Sequence, residues 1–307
     1  MKGIVLKSTG KQYSVLMDNG EIVNCIIRGN FRLKKMEGTN PVAVGDRVTV
    51  IQDAKSNMAI INDIEERKNY IIRKATNFSK QYHIIAANVD QAMLIATIAY
   101  PETSNMFIDR FLISAEAYRI PVIIVFNKID LYNEEQKEKM KELCTIYEKA
   151  GYPCIAASAV TGENKEKIQE VLKDKITVIS GNSGVGKSSL INAVDNNLQL
   201  KTGNISDAHS TGKHITTFAE MFRLTIGGYI IDTPGIRAFG IIDFYKEELY
   251  HYFPEIFNAS AGCRFSNCTH VHEPGCAVIE AVRKNGISAS RYMNYLGIFN
   301  DDEKKYR

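Results

Sequence analysis

No stretch of the 307-residue sequence is apolar for long enough to cross a membrane. The longest apolar run, AMLIATIAY at residues 92–100, falls far short of the roughly 18 residues that a membrane-spanning helix requires. The first residues, MKGIVLKSTG, also lack the apolar core of a secretory signal. We therefore expect a cytoplasmic protein with no membrane segment.

The sequence also lacks internal repeats, low-complexity tracts and a large excess of either charge. Its hydrophobic content of 45% and charged content of 24% are typical of globular proteins and exclude the disordered and fibrous classes. The net charge is only +3, yet residues 1–75 hold 13 basic and 8 acidic residues. This basic first part fits a polyanionic partner such as RNA, although an ordinary soluble domain has a similar balance.

A chain of this length is expected to form two or three domains, and its hydrophobic pattern changes twice. Residues 1–70 contain short alternating segments that predict an OB-like β-barrel of about five strands, with an SH3-like barrel as the alternative. Residues 71–240 alternate apolar runs with amphipathic stretches, which predicts an α/β domain whose parallel sheet is covered on both faces. Residues 241–307 are helical and irregular and contain a Cys/His cluster.

The segment GNSGVGKSS at residues 181–189 predicts a phosphate-binding loop. It matches G-x-x-x-x-G-K-S between a predicted strand and a predicted helix, so that backbone N–H groups can surround the β-phosphate. Lys187 would reach the β- and γ-phosphates, and the Ser188 hydroxyl would bind Mg²⁺. The predicted nucleotide-binding residues of this loop are Gly181, Asn182, Ser183, Gly184, Val185, Gly186, Lys187, Ser188 and Ser189.

A second motif, NKID at residues 127–130, predicts a guanine nucleotide. The Asp130 carboxylate can accept from both N1–H and the 2-amino group of guanine, a pair of donors that adenine does not offer. The aliphatic stem of Lys128 can cover the ring, and Asn127 can donate to the base or tie neighbouring loops together. Ser158 and Ala159, after the next predicted strand, could present a backbone N–H to the guanine O6.

The segments that would sense the γ-phosphate lie further along the chain. In DTPG at residues 232–235, Asp232 is placed to hold Mg²⁺ through water, and the Gly235 N–H is placed to contact the γ-phosphate. We choose Thr216 as the threonine that binds Mg²⁺ in the triphosphate state, with Thr217 as the alternative. The predicted Mg²⁺ ligands are Ser188, Thr216 and Asp232.

The residue that orients the attacking water is missing from its usual place. Ras-like GTPases carry a glutamine after the glycine of DxxG, but Ile236 stands there in this sequence and can neither donate nor accept. Intrinsic hydrolysis should therefore be slow. His214 is the nearest candidate for this role; an RNA contact or a solvated loop histidine are the alternatives. The predicted catalytic residues are Lys187, Thr216, His214 and Gly235.

Three of the six cysteines lie close together near the end of the chain and predict a metal site rather than a disulfide. The spacing C-x4-C-x-H-x5-C selects Cys263, Cys268, His270 and Cys276, with His272 as an alternative histidine. Three thiolates and one imidazole form a closed tetrahedral set that is typical of structural zinc. Zinc binding would contribute about 10 kcal/mol or more to folding of this small unit and would do no chemistry.

The order of the motifs is circularly permuted, because the guanine motif precedes the phosphate-binding loop and DTPG comes last. Such a rearrangement at surface loops preserves the core of an α/β domain. The permuted order, the amino-terminal barrel and CRFSNCTHVHEPGC at residues 263–276 together resemble the ribosome small-subunit-dependent GTPase A family, called RsgA or YjeQ. The resemblance covers nearly the whole chain.

The resemblance implies an OB-like RNA-binding barrel at 1–70, a circularly permuted P-loop GTPase domain at 71–240 and a small helical zinc-binding domain at 241–307. It implies a GTP hydrolase that acts as a late maturation checkpoint of the small ribosomal subunit, is stimulated by that subunit and contacts its rRNA. It also favours His270 over His272. The family's G-[KR]-H-T-T run has a threonine where this sequence has Ile215, so Thr217 stays open.

The implied ligands are GTP or GDP with Mg²⁺ and one structural Zn²⁺ per chain, and nothing in the sequence demands more than a monomer. Three other classes are considered from the residues alone. A nucleotide-gated RNA-binding module with incidental hydrolysis would respond little to ribosomal particles. A P-loop kinase is disfavoured by NKID and DTPG, and a zinc-based redox sensor by the closed set of four ligands.

Overall fold

The computed structural model describes residues 1–10, 12–27, 41–52, 58–74, 82–198, 200, 219–232 and 245–301. None of the helices in these ranges is long and apolar enough to cross a membrane. The predicted residues His214, Thr216, Thr217 and Gly235 lie outside the described residues, as do Ile215 and Ile236.

Within the described residues, the first part of the chain forms a five-stranded barrel: β1 (Lys2–Ser8), β2 (Tyr13–Met17), β3 (Ile22–Ile27), β4 (Arg47–Gln52) and β5 (Ala59–Ile64). The strands pair in the order 1-2-3-5-4, and β4 also pairs with β1 to close the barrel. Alternate side chains of β2, Tyr13, Val15 and Met17, are buried in its core, as a period of two requires. The closed order is that of an OB-fold, which confirms the predicted barrel.

An antiparallel hairpin, β6 (Tyr70–Lys74) and β7 (Tyr82–Ala87), follows the barrel. The loop before β4 packs on this hairpin, because the Ala87 N–H donates to the Val44 carbonyl over 2.8 Å. A Cβ at Gly45 would lie 2.1 Å from the Ala87 carbonyl oxygen, so only glycine permits this approach. The barrel and the hairpin are therefore packed directly against each other.

The described residues from 91 onwards add six strands to the fold: β8 (Gln91–Ala96), β9 (Val122–Phe126), β10 (Cys154–Ala156), β11 (Ile176–Ser180), β12 (Glu220–Arg223) and β13 (Tyr229–Asp232). They pair in the order 10-9-8-11-13-12, and only β12 runs antiparallel to its neighbour. At the β12 edge the sheet continues into the barrel, because Glu220 pairs with Lys7 of β1. The two side chains also form an ion pair at 3.1 Å.

Helices cover both faces of this sheet, as the alternating pattern predicts. On one face α1 (Asn105–Ala117) and α2 (Glu134–Lys149) bury residues such as Phe111 and Leu143. On the other face α3 (Lys165–Leu172) and α4 (Lys187–Val194) bury residues such as Ile168 and Leu190. All six residues of β8 are buried between these layers. This is the α/β arrangement that places the loops at the carboxyl edge of the strands next to one another.

The last part of the chain is a small helical unit with its own core. It contains a 3₁₀ helix (Lys246–Tyr252), α5 (Pro254–Ser260), α6 (Ala277–Arg283) and α7 (Ala289–Asn300). Leu249, Phe253 and Tyr295 are buried together with Ile113 of α1. The unit therefore shares its core with the first helix of the α/β domain.

Candidate functional sites

The phosphate-binding loop predicted from the sequence connects β11 to α4. Gly181 has a φ of +145°, and a Cβ there would lie 2.2 Å from the Ile95 carbonyl oxygen. Gly186 has a φ of +88°, and a Cβ there would lie 2.6 Å from Asn127 Nδ2. Gly186 is the residue before α4 and provides no side-chain cap, so the first N–H groups of the helix face the loop. The glycines thus allow a backbone cradle with the electropositive helix end that an anion requires.

Within this loop the predicted residues differ in exposure. Val185 is buried in the core below the loop, whereas Ser183, Gly184 and Ser189 are exposed. Asn182 lies between these extremes. The loop is therefore anchored at Val185 and open to solvent at its tip, as a ligand site must be.

The polar groups predicted to meet the phosphates and Mg²⁺ lie together. Lys187, Ser188 and Asp232 line one small pocket, and Asp232 at the end of β13 stands level with Ile179 of β11. Lys187 Nζ donates to the carbonyl oxygens of Gly181 at 2.9 Å and Asn182 at 2.8 Å. Burial lowers the pKa of Lys187, while the Asp232 carboxylate acts in the opposite direction. The pocket thus combines a lysine donor, a hydroxyl and a carboxylate at the carboxyl edge of the sheet.

Asn127 ties three loops of the site together. It is 1% exposed, its Nδ2 donates to the Val185 carbonyl over 2.8 Å, and its Oδ1 accepts from the Ala159 N–H at 3.2 Å. Of the two roles that the sequence left open for Asn127, the tie between loops is therefore the one seen. The Ala159 N–H, which the sequence suggested as a donor to guanine O6, donates to Asn127 Oδ1 instead.

Lys128 and Asp130 are held by neighbouring groups in a way that suits base recognition. Lys128 has a φ of +67°, and its Nζ donates to the carbonyl oxygens of Tyr100 and of Gly184, the latter at 2.6 Å. Asp130 is exposed, and its Oδ1 accepts from the Ser158 hydroxyl at 2.5 Å. The Ser158 oxygen in turn accepts from the N–H groups of residues 160 and 161. A carboxylate held at a fixed position can discriminate between bases.

The loop between β8 and α1, residues 97–104, also borders the site, although no motif in the sequence indicated it. Its Tyr100 carbonyl binds Lys128, and a Cβ at Gly184 would lie 3.4 Å from Pro101. Tyr132 was also missed, although its hydroxyl contacts both this loop and the NKID loop. The available signal was the position of the loop, because it follows a buried strand at the same edge of the sheet.

The four predicted metal ligands converge in the carboxyl-terminal unit. The ligand atoms of Cys263, Cys268, His270 and Cys276 all lie within 4.8 Å of one another. His270 Nδ1 is 3.6 Å from Cys263 Sγ and 3.5 Å from Cys276 Sγ, and the two sulfur atoms are 3.9 Å apart. Tetrahedral zinc with Zn–S bonds of about 2.3 Å places its sulfurs about 3.8 Å apart. The donor set and its spacing therefore fit a metal ion such as Zn²⁺.

The backbone decides which histidine joins the cluster. His270 has a φ of +61° and is 1% exposed, whereas His272 is exposed. Glu273 fixes this turn, since its carboxylate accepts from the Thr269 N–H at 2.7 Å and the Val271 N–H at 3.0 Å. Burial raises the pKa of Glu273, but the hydrogen bonds outweigh it and lower the pKa to about 2. The turn therefore contains a carboxylate that stays charged at neutral pH.

Comparison with known proteins gives consistent matches over both larger parts of the chain. The family model of the RsgA N-terminal domain matches residues 2–61, and that of the RsgA GTPase matches residues 64–242. A Bacteroides fragilis protein named small ribosomal subunit biogenesis GTPase RsgA is 56% identical over 308 residues, covering 100% of this chain and 99% of the relative. A relative of the same name from Porphyromonas gingivalis is 51% identical over 312 residues, with the same coverage.

Two solved structures are similar over nearly the whole chain. YjeQ from Thermotoga maritima has a TM-score of 0.80 and 39% identity, covering 97% of this chain and 96% of that one. YloQ, described as a circularly permuted GTPase, has a TM-score of 0.75 and 28% identity, covering 97% and 93%. These matches confirm the expected fold class, including the circular permutation.

Proposed function

The chain belongs to the RsgA GTPase family, and we propose that it acts in the biogenesis of the small ribosomal subunit as a late maturation checkpoint. It is a GTPase with a permuted domain. The relatives' name carries the ribosomal part of the proposal. The GTPase part is supported by the Asn127 side chain, which joins the NKID loop to Val185 of the phosphate-binding loop and to Ala159. This contact supports a single site for the base and the phosphates despite the inverted order of the motifs.

Phosphate binding would use groups that already face the loop. On arrival of the nucleotide, Lys187 would exchange its two carbonyl acceptors, Gly181 and Asn182, for β- and γ-phosphate oxygens. Ser188 and, through water, Asp232 would hold Mg²⁺, which neutralises phosphate charge when bound. Thr216 or Thr217 would complete its coordination in the triphosphate state.

Guanine recognition would rest on Asp130. Its Oδ1 is held by Ser158, so the carboxylate is oriented before the base arrives. It would accept from N1–H and the 2-amino group of guanine, and an adenine base would leave it without these donors. Lys128, fixed between Gly184 and Tyr100, would lay its aliphatic stem along the ring.

Hydrolysis would depend on a partner. Ile236 stands where a glutamine would orient water, so Gly235 and Lys187 would stabilise the γ-phosphate without a glutamine to orient the attacking water. His214 is our candidate for orienting the water once the small subunit is bound. This arrangement supports slow intrinsic turnover and stimulation by the subunit.

The parts outside the nucleotide site would bind rRNA. The barrel at 1–70 and the unit at 241–307 flank the GTPase domain at 71–240, and the barrel region carries the basic excess. Cys263, Cys268, His270 and Cys276 would hold one structural Zn²⁺, which would leave no open position for catalysis. We propose that the protein works as a cytoplasmic monomer.

The decisive experiment measures GTP turnover by the purified full chain with and without isolated small ribosomal subunits. Large subunits and the variant Asp130→Ala serve as controls. We expect stimulation by small subunits alone and its loss in the variant. Slow turnover that ignores all ribosomal particles would favour instead the RNA-binding module with incidental hydrolysis.

A further inference from the structure

Tyr132 stands between the two loops that surround the base-reading residues. It directly follows the short 3₁₀ turn Ile129–Leu131 of the NKID loop and is 5% exposed. Its hydroxyl donates to the Asn127 carbonyl over 2.6 Å and accepts from the Ile98 N–H at 2.8 Å. One buried hydroxyl therefore joins the backbone of the NKID loop to the loop of residues 97–104.

Both loops joined by the Tyr132 hydroxyl help to hold in place residues that would contact the base. Asn127 is fixed on its other side as well, because its N–H donates to the Ala96 carbonyl over 2.9 Å. On the far side, the loop of residues 97–104 is closed on itself: the Thr97 N–H donates to the Thr103 hydroxyl at 3.1 Å, and the Thr103 N–H donates to the Thr97 carbonyl at 2.8 Å. The Tyr100 carbonyl of this closed loop accepts from Lys128.

The chemistry of the hydroxyl suits a permanent bridge. Burial, together with the nearby Asp130 charge, raises the pKa of Tyr132 to about 12, although the hydrogen bond from Ile98 opposes this. The phenol therefore keeps its proton at physiological pH and can always donate to the Asn127 carbonyl. Without the Tyr132 hydroxyl, the buried Asn127 carbonyl and the Ile98 N–H would lose their hydrogen-bond partner. The two loops would then either move apart or keep these groups unpaired, which is unfavourable.

We propose that Tyr132 is a positioning residue for guanine specificity, which sets the distance between the NKID loop and the loop of residues 97–104. The proposal rests on the proposed function, because it assumes that Asp130 and Lys128 read a guanine nucleotide. Tyr132 itself does not need to touch the nucleotide. It acts through Asn127 on one side and through Ile98 and the Tyr100 carbonyl on the other.

The test compares Tyr132→Phe with a matched variant, Tyr152→Phe, in the full chain. Tyr152 is 3% exposed, and its hydroxyl also makes a hydrogen bond, to the partly buried Glu116 Oε1 at 2.9 Å, but Tyr152 precedes β10 at the opposite edge of the sheet from the site. Both substitutions keep the ring and remove only the hydroxyl, so both should fold. For each protein we would measure the dissociation constants of GDP and of IDP, whose base lacks the 2-amino group, and the melting temperature.

A positioning role predicts that Tyr132→Phe weakens GDP binding about five- to tenfold, which is the equivalent of one or two hydrogen bonds. The same substitution should weaken IDP binding by less than about twofold. The preference for GDP over IDP therefore shrinks, whereas Tyr152→Phe keeps it. If Tyr132→Phe only lowered the melting temperature, as the control does, and kept the preference, the positioning role would be wrong. If the unaltered protein itself bound GDP no better than ADP, the proposed function would fail, and this inference with it.

Discussion

Arg291 in α7 donates to Asp109 in α1 over 2.6 Å, and their side chains are only 2% and 0% exposed. Arg291 also donates to both oxygens of Glu255, at 2.7 and 3.0 Å, and its guanidinium lies 4.8 Å from the centre of the Phe253 ring. Asn294 completes the cluster by donating to the second oxygen of Asp109. One arginine thus fastens the carboxyl-terminal unit to the α/β domain.

Replacing this arginine by methionine (Arg291→Met) should destabilise the protein by about 3–5 kcal/mol, because the buried Asp109 and the partly buried Glu255 lose their cationic partner. Hydrogen exchange should rise first in α1 and α7, the two helices that the arginine joins. Chemical denaturation measures the loss of stability, and hydrogen exchange measures the local opening of the two helices. The matched control is Arg283→Met, since Arg283 forms an ion pair with Glu280 while 74% exposed, and it should cost less than about 1 kcal/mol. Equal costs for the two variants would contradict the buried role of Arg291.

The substitution Asp130→Asn should change the preferred base from guanine to xanthine. An amide presents an N–H donor where the carboxylate accepted, and xanthine has a carbonyl in place of the 2-amino group of guanine. Competition between GDP and XDP for the variant measures this change. Because Ser158 can still donate to the amide oxygen, the loop should keep its shape. Weakened binding of both nucleotides alike would show that Asp130 supports the loop rather than reading the base.

The glycine at position 186 should be indispensable for nucleotide binding. In Gly186→Ala the methyl group would meet Asn127 Nδ2 at 2.6 Å, on a backbone with φ of +88°. Gly162→Ala is the matched control, since its φ is +77° but no heavy atom lies within 4 Å of the added carbon. Both variants should lose about 1 kcal/mol of stability for the left-handed backbone. Only Gly186→Ala should lose GDP affinity, by tenfold or more in calorimetric titrations; an equal loss in Gly162→Ala would refute the steric reason.

Metal analysis of the purified protein should find one zinc per chain. Chelation should reduce hydrogen-exchange protection in residues 263–276, since the four ligands lie at both ends and in the middle of this irregular segment. Cys276→Ser should lose the metal, and Cys144→Ser, which changes a cysteine outside the cluster, should keep it. A full complement of zinc in Cys276→Ser would require a different ligand set.

The sequence predicted the parts of this protein that depend on local pattern. Alternation along Tyr13–Met17 predicted a barrel strand, and ITVISGNSGVGKSSLINAV at residues 176–194 predicted a strand, loop and helix, because these signals lie within a few neighbouring residues. The spacing of the cysteines likewise selected the metal cluster. The resemblance to the family already favoured His270 over His272, and the structure places His270, a left-handed residue, in the cluster and leaves His272 exposed.

The contacts that hold the site together could not be predicted in this way. Tyr132 and Ile98 are 34 residues apart, and Arg291 and Asp109 are 182 apart. Their partners are decided by how whole elements pack, and a single sequence contains no local sign of such pairs. Neither Tyr132 nor Asp109 belongs to a motif in the sequence, so only the structure shows what each of them does.

The join between β1 and β12 also protects the sheet from other molecules. An outer strand presents unpaired N–H and carbonyl groups along its length, and these can bind the edge of a second sheet. Here β1 of the barrel pairs with β12 at Lys7 and Glu220, while the opposite outer strand, β10, is only three residues long. The amino-terminal barrel thus also hinders edge-to-edge association of two sheets through β12. Cutting it away would uncover β12, and the remaining GTPase domain should be prone to aggregate even if every nucleotide contact were intact.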